Sequence, residues 1–209
     1  MWPFSLHADL NFNYGSGTAA KTDYAERSLI TSMEKVGDRI YAVGVHGIII
    51  FSDDSGNTWT QAEYVPYQNT ITDISCTSEK MCWVTGHDAT ILHSDDGGLN
   101  WVKQYDDYDF DAPLLSIHMY DDKDGIAIGA FALSLRTSNG GDSWDYLFLD
   151  DDDYQPHLNY VYGDNQAWRK SAKDEGYAVG EIGKYYISDD RGLNWLVVDP
   201  GFIGSYWSG

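Results

Sequence analysis

The chain has 209 residues, of which 43% are hydrophobic and 15% aromatic, so it is long enough to bury a sizeable core. Its 33 acidic residues against 13 basic ones give a formal net charge of −20. This charge argues against nucleic acid as a partner, because phosphate binding needs clustered Lys and Arg, and it disfavours adsorption to an anionic membrane surface. No apolar run approaches the ~20 residues that cross a bilayer, so direct membrane insertion is not expected.

Residues 1–27 precede the repetitive part of the chain and are predicted to form an N-terminal extension. The segment has no basic region followed by an apolar one, so it does not match a secretory signal. Either a leader precedes this sequence or the protein stays inside the cell.

From residue 28 onward the same pattern occurs four times, with a glycine 15 residues before a tryptophan. The pairs are Gly44 and Trp59, Gly86 and Trp101, Gly129 and Trp144, and Gly180 and Trp195. Self-similarity at a period of about 40 residues is typical of repeat architectures and, for β-rich repeats, of a propeller. Residues 28–203 are therefore predicted to form an all-β propeller of four-stranded antiparallel blades. The predicted blades cover about 28–65, 70–107, 113–150 and 157–199, and residues 204–209 are predicted to begin a fifth.

The second copy shows how each repeat forms four strands. Residues 71–76 alternate apolar and polar side chains, which is the period of a strand. Residues 81–86 predict the second strand, residues 90–94 the third, and a fourth begins at Trp101. In the four copies the first strands are predicted to open with Leu29, Ile71, Leu114 and Leu158.

Cys76 and Cys82 flank a polar turn between the first two strands of this copy. A hairpin closed at that turn brings the two cysteines opposite one another, within reach of a disulfide. Two buried thiols are the alternative, and the spacing is poor for a zinc site. A disulfide favours an exported protein, periplasmic or extracellular.

The turn between the third and fourth strands of each copy follows the Asp-box pattern Ser-x-Asp-x-Gly-x-Thr-Trp, which is degenerate in the third copy. Asp and Asn side chains bond back to the backbone in tight turns, glycine supplies a positive φ, and tryptophan fills the interface between blades. The Asp-box residues are therefore predicted to be structural and not catalytic. They are Ser52, Asp54, Gly56, Trp59, Ser94, Asp96, Gly98, Trp101, Asn139, Gly141, Trp144, Ser188, Asp190, Gly192 and Trp195.

In blades of this kind the turns between the second and third strands share one face of the disc with the links to the next blade. This face is predicted to bind a protein partner and carries His46, Asp88, Phe131, Glu181, Tyr105 and Tyr108. On the opposite face, the enlarged hairpin after Asp164 concentrates Arg169, Lys170 and Lys173. That hairpin is either a solvated loop or a docking tip.

No cofactor or metal is expected, although two acidic runs offer the oxygen ligands that calcium prefers. They are Asp150, Asp151, Asp152 and Asp153 in one run, and Asp106, Asp107, Asp109 and Asp111 in the other. Neither run has the EF-hand pattern, so solvated acidic loops are the favoured interpretation.

The longer phrases AVGVHGIIIFSDDSGNTW, GHDATILHSDDGGLNW and YAVGEIGKYYISDDRGLNW resemble the photosystem II stability/assembly factor-like family of exported bacterial propellers. The resemblance runs from about residue 28 to residue 199. It implies a non-catalytic scaffold that binds a protein partner and aids the assembly or stability of a membrane-associated complex. Because such relatives usually close about seven blades, it also implies that the four copies are part of a longer propeller, unless the ring closes with fewer blades or by association.

The alternative is a glycan-binding or glycoside-hydrolysing Asp-box propeller that uses the same face. The chain has only five arginines, of which Arg191 lies inside an Asp box, and no Arg-Ile-Pro motif precedes the repeats, so the arginine triad of a sialidase is not expected. Hydrolysis by two facing carboxylates needs only a pair such as Asp88 and Glu181. Sugars would be expected to stack on exposed aromatics such as Tyr64, Tyr67, Tyr105, Tyr108 or Phe131.

Overall fold

A computed structural model describes residues 17–110, 112–149, 155–163 and 174–207. Within these ranges the chain forms four separate four-stranded sheets, each with its strands in sequence order and antiparallel to their neighbours. The sheets confirm the prediction of an all-β fold built from four-stranded blades. Three short 3-10 turns accompany them, at Ala25–Arg27, Val45–Gly47 and Ala130–Ala132.

The sixteen strands of the described residues fall into the four blades as follows. Blade 1 contains β1 (Ile30–Val36), β2 (Arg39–Gly44), β3 (Ile49–Ser52) and β4 (Thr60–Gln61). Blade 2 contains β5 (Ile71–Cys76), β6 (Cys82–Gly86), β7 (Ile91–Ser94) and β8 (Val102–Tyr105). Blade 3 contains β9 (Leu114–Met119), β10 (Gly125–Gly129), β11 (Ser134–Thr137) and β12 (Asp145–Tyr146). Blade 4 contains β13 (Leu158–Gly163), β14 (Gly176–Gly180), β15 (Tyr185–Ser188) and β16 (Leu196–Val198).

The prediction that Leu29 opens the first strand is wrong by one residue. β1 begins at Ile30, which pairs with Gly44 just as Ile71 pairs with Gly86 in blade 2. The β1–β2 hairpin turns through only Gly37 and Asp38, whereas the hairpin of blade 2 needs a longer turn. Leu29 lies outside the sheet and is 68% exposed.

Apolar side chains fill the interfaces between successive blades. Blades 1 and 2 bury a cluster that includes Tyr41, Ile49 and Trp101, and blades 2 and 3 bury one that includes Trp83 and Leu114. Blades 3 and 4 bury a smaller cluster that includes Tyr120, Ile126, Leu158 and Tyr186. Burial of each such side chain contributes roughly 1.5–3 kcal/mol, so the stacking of blades stabilises the fold.

The first glycine of each repeat is required by a close approach of two strands. A Cβ atom at Gly44, Gly129 or Gly180 would run into the backbone carbonyl oxygen of the residue before the first strand, and at Gly86 it would lie 2.8 Å from the carbonyl oxygen of Thr70. At Gly129 the backbone is extended, with φ −167°, so the constraint is space and not a left-handed conformation.

The Asp boxes hold their turns through side chain to backbone hydrogen bonds. In the first box Ser52 Oγ accepts a bond from the Gly56 N–H at 2.8 Å, and Asp54 Oδ1 accepts one from the Thr58 N–H at 2.8 Å. The degenerate third box keeps the same bonds with Thr137 and Asn139 in place of Ser and Asp. These contacts give the Asp-box residues a structural role.

The two cysteines form a disulfide, as predicted. Cys76 ends β5 and Cys82 begins β6, so they face one another across the hairpin with their Cα atoms 4.1 Å apart.

The described residues after blade 4 repeat the contacts that connect one blade to the next. Asn159 Nδ2 donates to the Tyr206 carbonyl at 2.7 Å, as Thr31 Oγ1 donates to Ile71 and Thr72 Oγ1 to Leu114 at the earlier junctions. Tyr206 thus takes the position of the first residue of an inner strand, that is, of the first strand of a blade. A fifth blade beginning at residues 204–209 stays a prediction. No helix among the described residues is long and apolar enough to cross a membrane.

Candidate partner-binding face

Four hairpin turns of the same conformation lie on one face of the molecule, between the second and third strands of each blade. Each turn places two successive residues in the left-handed region, which is the geometry of a type I′ hairpin turn. The first of the two is His46, Asp88, Phe131 or Ile182, with φ between 55° and 58°. These four residues form the tips of the turns.

The second left-handed residue of each turn anchors it to the link leading to the next blade. Gly47 donates its N–H to the Asn69 carbonyl at 2.8 Å. Ala89 and Ala132 donate in the same way to Ala112 and Pro156 at 2.8 Å, and Gly183 donates to Gly204 at 2.5 Å. The backbone of the face is therefore fixed by bonds that do not depend on the tip side chains.

All four residues predicted for these turns lie in them: His46, Asp88 and Phe131 are tips, and Glu181 directly precedes the fourth tip, Ile182. The spacing from the repeat glycine identifies each tip, because every tip lies two residues after that glycine, as Ile182 lies two residues after Gly180. Glu181 bonds instead to the link, where its Oε2 accepts the His157 N–H at 3.1 Å.

An apolar groove of about 390 Å³ opens on this face between blades 3 and 4. Its floor contains the buried side chains Leu133, Leu158 and Tyr186. Its rim consists of four exposed aromatic residues, Phe110, Phe131, Tyr146 and Phe148, with exposed fractions of 40%, 51%, 53% and 84%. We call this feature the aromatic groove. Exposed apolar patches of this kind mark binding sites on soluble proteins.

The predicted acidic run borders the aromatic groove and is joined to its rim. Tyr146 donates its hydroxyl to Asp107 Oδ2 at 2.8 Å, and the same hydroxyl accepts a bond from Tyr105 at 3.4 Å. The bond from Tyr146 and the N–H of Phe110 lower the pKa of Asp107, so this carboxylate is charged at neutral pH. Tyr108 is exposed and its hydroxyl contacts Lys103 Nζ at 2.7 Å. A ligand in the groove therefore meets aromatic surface and negative charge together.

The aromatic residues predicted to stack on sugars do not form one surface. Tyr67 is buried, with 1% of its surface exposed, because its ring fills the junction between blades 1 and 2. Its hydroxyl donates to the His87 carbonyl at 3.0 Å, so the prediction that Tyr67 is available to a ligand is wrong. Tyr64 is exposed, but it pairs with Asn100, beside the Asp box of blade 2.

The two carboxylates considered for hydrolysis, Asp88 and Glu181, lie on blades 2 and 4 with blade 3 between them. Asp88 Oδ2 accepts a bond from Asn69 Nδ2 at 2.8 Å, and Glu181 is held by the N–H of His157. Both are therefore engaged in holding the links between blades.

Several predicted features lie outside the described residues. They are the calcium candidates Asp111, Asp150, Asp151, Asp152 and Asp153, and the basic residues Arg169, Lys170 and Lys173. Within the ranges that the structure does describe, no group of three or more His, Cys, Asp and Glu side chains is arranged to hold a metal ion. Calcium binding at the acidic runs stays a prediction.

The family model for the photosynthesis system II assembly factor YCF48 matches residues 59–197, which is more than half of the chain. The chain belongs to this family. Membership confirms the resemblance carried by the repeat phrases.

Named relatives of the family align with parts of the chain. The photosystem II assembly protein Ycf48 of Synechococcus sp. (strain JA-2-3B'a(2-13)) is 30% identical over 140 residues, which cover 66% of this chain and 39% of the relative. The chloroplastic photosystem II stability/assembly factor HCF136 of Oryza sativa subsp. japonica is 30% identical over 117 residues, which cover 54% of this chain and 26% of the relative. The chain thus spans less than half the length of either relative.

Solved propellers share the fold at low sequence identity. YCF48 bound to D1 peptide superposes with a TM-score of 0.62 at 19% identity, over 84% of this chain and 56% of that chain. An ancestral GH74 enzyme gives a TM-score of 0.64 at 16% identity, over 83% of this chain and 24% of that chain. The Swd1 β-propeller domain of Myceliophthora thermophila gives 0.65 at 13% identity, over 85% of this chain and 57% of that chain. These likenesses establish the propeller fold.

Proposed function

We propose that this protein is a non-catalytic propeller that binds an apolar, basic segment of a protein partner in the aromatic groove. The observation that carries the proposal is the groove itself, whose rim consists of four exposed aromatic residues beside the charged carboxylate of Asp107. Aromatic side chains dominate the energetics of protein interfaces, and a surrounding negative charge selects a partner with basic residues.

Family membership supports a partner within a membrane-associated complex. The relatives are named as photosystem II assembly factors, and one solved YCF48 holds a D1 peptide. We extend this role to the present chain in its general form, in which the propeller holds a segment of a client protein and aids the assembly or stability of its complex. No cofactor is needed for such a role.

An exported location fits the same role. The disulfide between Cys76 and Cys82 is of the kind that persists in oxidising compartments. One relative is named as an assembly lipoprotein and others as chloroplastic. We therefore place the protein outside the cytoplasm.

The test is site-specific photocrosslinking in the cells that make the protein. A benzophenone amino acid replaces Phe148 in one strain and, in the control, Tyr24, an exposed aromatic residue that does not line the groove. We expect one partner segment to crosslink from position 148 and not from position 24, and mass spectrometry identifies its sequence. A synthetic peptide of that sequence should bind the purified protein at least tenfold more weakly after the double substitution Phe131→Ser and Phe148→Ser. Tyr24→Ser should leave its affinity unchanged.

Two results would contradict the proposal. One is equal peptide affinity in the groove variant and the wild-type protein. The other is the absence of any groove-specific crosslink together with binding of oligosaccharides that the same two substitutions abolish. The second result would instead support the glycan-binding alternative, since sugars also stack on exposed aromatic rings.

A further inference from the structure

A second cavity, of about 290 Å³, lies between the first strands of the four blades. These strands, β1, β5, β9 and β13, are the ones that neighbour each other around the middle of the molecule, so the cavity is central and separate from the aromatic groove. Five titratable side chains line it, and they are Glu34, Asp73, His118, Tyr160 and Tyr162.

Polar side chains on these inner strands normally satisfy the free N–H groups of the next blade. Ser75 Oγ accepts the N–H of Met119 at 3.0 Å, and Ser116 Oγ accepts that of Val161 at 3.2 Å. Asp73 does the same more fully, since its Oδ2 accepts both the Ile117 N–H at 3.0 Å and the Ser116 hydroxyl at 2.7 Å. Its other oxygen accepts the Ser32 hydroxyl at 2.7 Å. Asp73 is therefore held rigidly in the cavity wall.

Two atoms in the cavity have no such partner. Glu34 Oε2 and His118 Nε2 are buried and make no hydrogen bond within the described part of the chain. Leaving a buried polar atom unpaired costs about 1–3 kcal/mol, so native structures rarely tolerate it without a function. The ring of His118 is largely buried, and its Nε2 lies over Gly163, where a Cβ atom would collide with it. The glycine keeps this space open.

The described lining of the cavity holds two carboxyl groups without a cationic partner, and burial raises the pKa of both. Among the described residues that line it, none is Lys or Arg. Burial raises the pKa of Glu34 to about 8, with a further contribution from Asp73, and burial lowers the pKa of His118 to about 4. The histidine is therefore neutral at physiological pH, and the two carboxyl groups face a ligand that would supply positive charge and hydrogen-bond donors.

We propose that this central cavity binds an organic cation, a primary ammonium or a guanidinium group, which donates hydrogen bonds to Glu34, Asp73 and His118. The rings of Tyr160 and Tyr162 provide the aromatic surface on which such a cation is stabilised by cation–π attraction. The volume is large enough for the end of one basic side chain. An organic cation fits better than a metal ion, because the described carboxylates and imidazoles include no cluster of three ligands.

Binding of the cation should release a proton. Glu34 faces Asp73 from β5, His118 from β9 and Tyr160 from β13, and below pH 8 its carboxyl group is mainly protonated. A cation favours the ionised carboxylate, so linkage predicts an affinity that rises by up to about tenfold for each pH unit between pH 6 and pH 8. His118 and Tyr160 stay neutral throughout this range, because burial lowers the pKa of the first and raises that of the second.

The experiment is calorimetric titration of the whole chain with n-butylammonium and n-butylguanidinium, with n-pentanol as a neutral analogue. Blocked peptides with a single Lys or Arg form a second arm. Glu34→Gln should weaken cation binding at least tenfold at pH 8 and remove its dependence on pH. The control Asp38→Asn removes one exposed carboxylate at the end of the same hairpin and should have no effect. The cation should also raise the Tm of the wild-type protein and not that of Glu34→Gln.

Each outcome bears directly on the proposal. Binding of either cation with the expected response to Glu34→Gln supports it. A peptide that binds more tightly than the free cation assigns the ligand to a side chain of a protein partner, and the reverse order assigns it to a free small molecule. Equal binding of n-pentanol, equal binding by Glu34→Gln, or no binding of any cation at pH 8 would overturn it.

Discussion

Glu34→Gln is expected to stabilise the folded protein, by an amount that grows with pH. The carboxyl group of Glu34 accepts a backbone hydrogen bond from Cys76 and is otherwise enclosed by the inner strands, which raises its pKa from 4.5 to about 8. The folded state therefore binds the proton more tightly than the unfolded state. Stability from this group is complete below about pH 4.5 and is lost as the pH rises through 8. Glutamine keeps an acceptor for the Cys76 N–H and never ionises.

The magnitude follows from the two pKa values. The difference between about 8 and 4.5, at about 1.4 kcal/mol for each pKa unit, gives at most about 5 kcal/mol above pH 8 and about 3 kcal/mol at pH 7. At pH 5 the same arithmetic gives less than about 1 kcal/mol. For a chain of this size each kcal/mol corresponds to roughly 2–4 °C in Tm, so the gain at pH 7 is about 6–12 °C.

The assay is thermal unfolding of wild type, Glu34→Gln and Asp38→Asn at half-unit steps from pH 5 to pH 9, followed by tryptophan fluorescence. With a net charge of −20, general repulsion also changes with pH, but it cancels in the difference between variants. We expect the difference for Glu34→Gln to rise with pH and that for Asp38→Asn to stay flat. A constant difference for Glu34→Gln from pH 5 to pH 9 would refute the assignment of a raised pKa to this carboxyl group.

Three further substitutions test the repeat architecture. Ser94→Ala leaves the buried N–H of Gly98 without its acceptor at 3.0 Å, which should cost about 1–3 kcal/mol and lower Tm by roughly 5 °C. Reduction of the disulfide between Cys76 and Cys82, which closes a short loop, should lower stability by about 2 kcal/mol as measured by urea unfolding with and without dithiothreitol. Gly129→Ala puts a Cβ atom against the carbonyl oxygen at the start of the inner strand, and we expect a loss of several kcal/mol in the same urea assay.

Matched measurements separate these effects from general damage. Ser138→Ala changes an exposed serine next to an Asp-box position and should leave Tm within about 1 °C. The double substitution Cys76→Ser and Cys82→Ser should make stability independent of reductant. Wild-type stability in Gly129→Ala would show that the two strands can separate without cost, contrary to the steric reason given for the repeat glycine.

The blades could be predicted from sequence because each repeat requires particular residue types at fixed positions, for reasons that lie within the repeat itself. At the position two residues before each turn tip, any side chain larger than that of glycine would collide with a backbone carbonyl oxygen. In the Asp box, the serine hydroxyl accepts a hydrogen bond from a backbone N–H of its own turn. These requirements give the glycines and the Asp-box residues a fixed spacing in every repeat. The same spacing identifies Ile182 as the fourth tip, one residue after Glu181.

The central cavity left no comparable signal. Glu34 and Asp73 each have one polar and one apolar neighbour in their strands, and His118 lies between two apolar residues, so no common pattern links the three. In a propeller the first strand has neighbouring blades on both sides, so its polar residues become buried against the next blade. Tyr67 illustrates the same limit, because a link residue that looks exposed in sequence is covered once two blades stack.

On one face of this fold, the residues that hold the backbone are distinct from those that can recognise a partner. On the candidate partner-binding face, the backbone of every turn is fixed by a glycine before the tip and by an N–H bond to the following link. The tip side chains take no part in those bonds, and they are four different residues: His46, Asp88, Phe131 and Ile182. Recognition by Phe131 and its aromatic neighbours can therefore change by substitution without loss of the scaffold. In the central cavity the opposite holds, because Asp73 joins three blades while facing the ligand site, so a change in specificity there also changes stability.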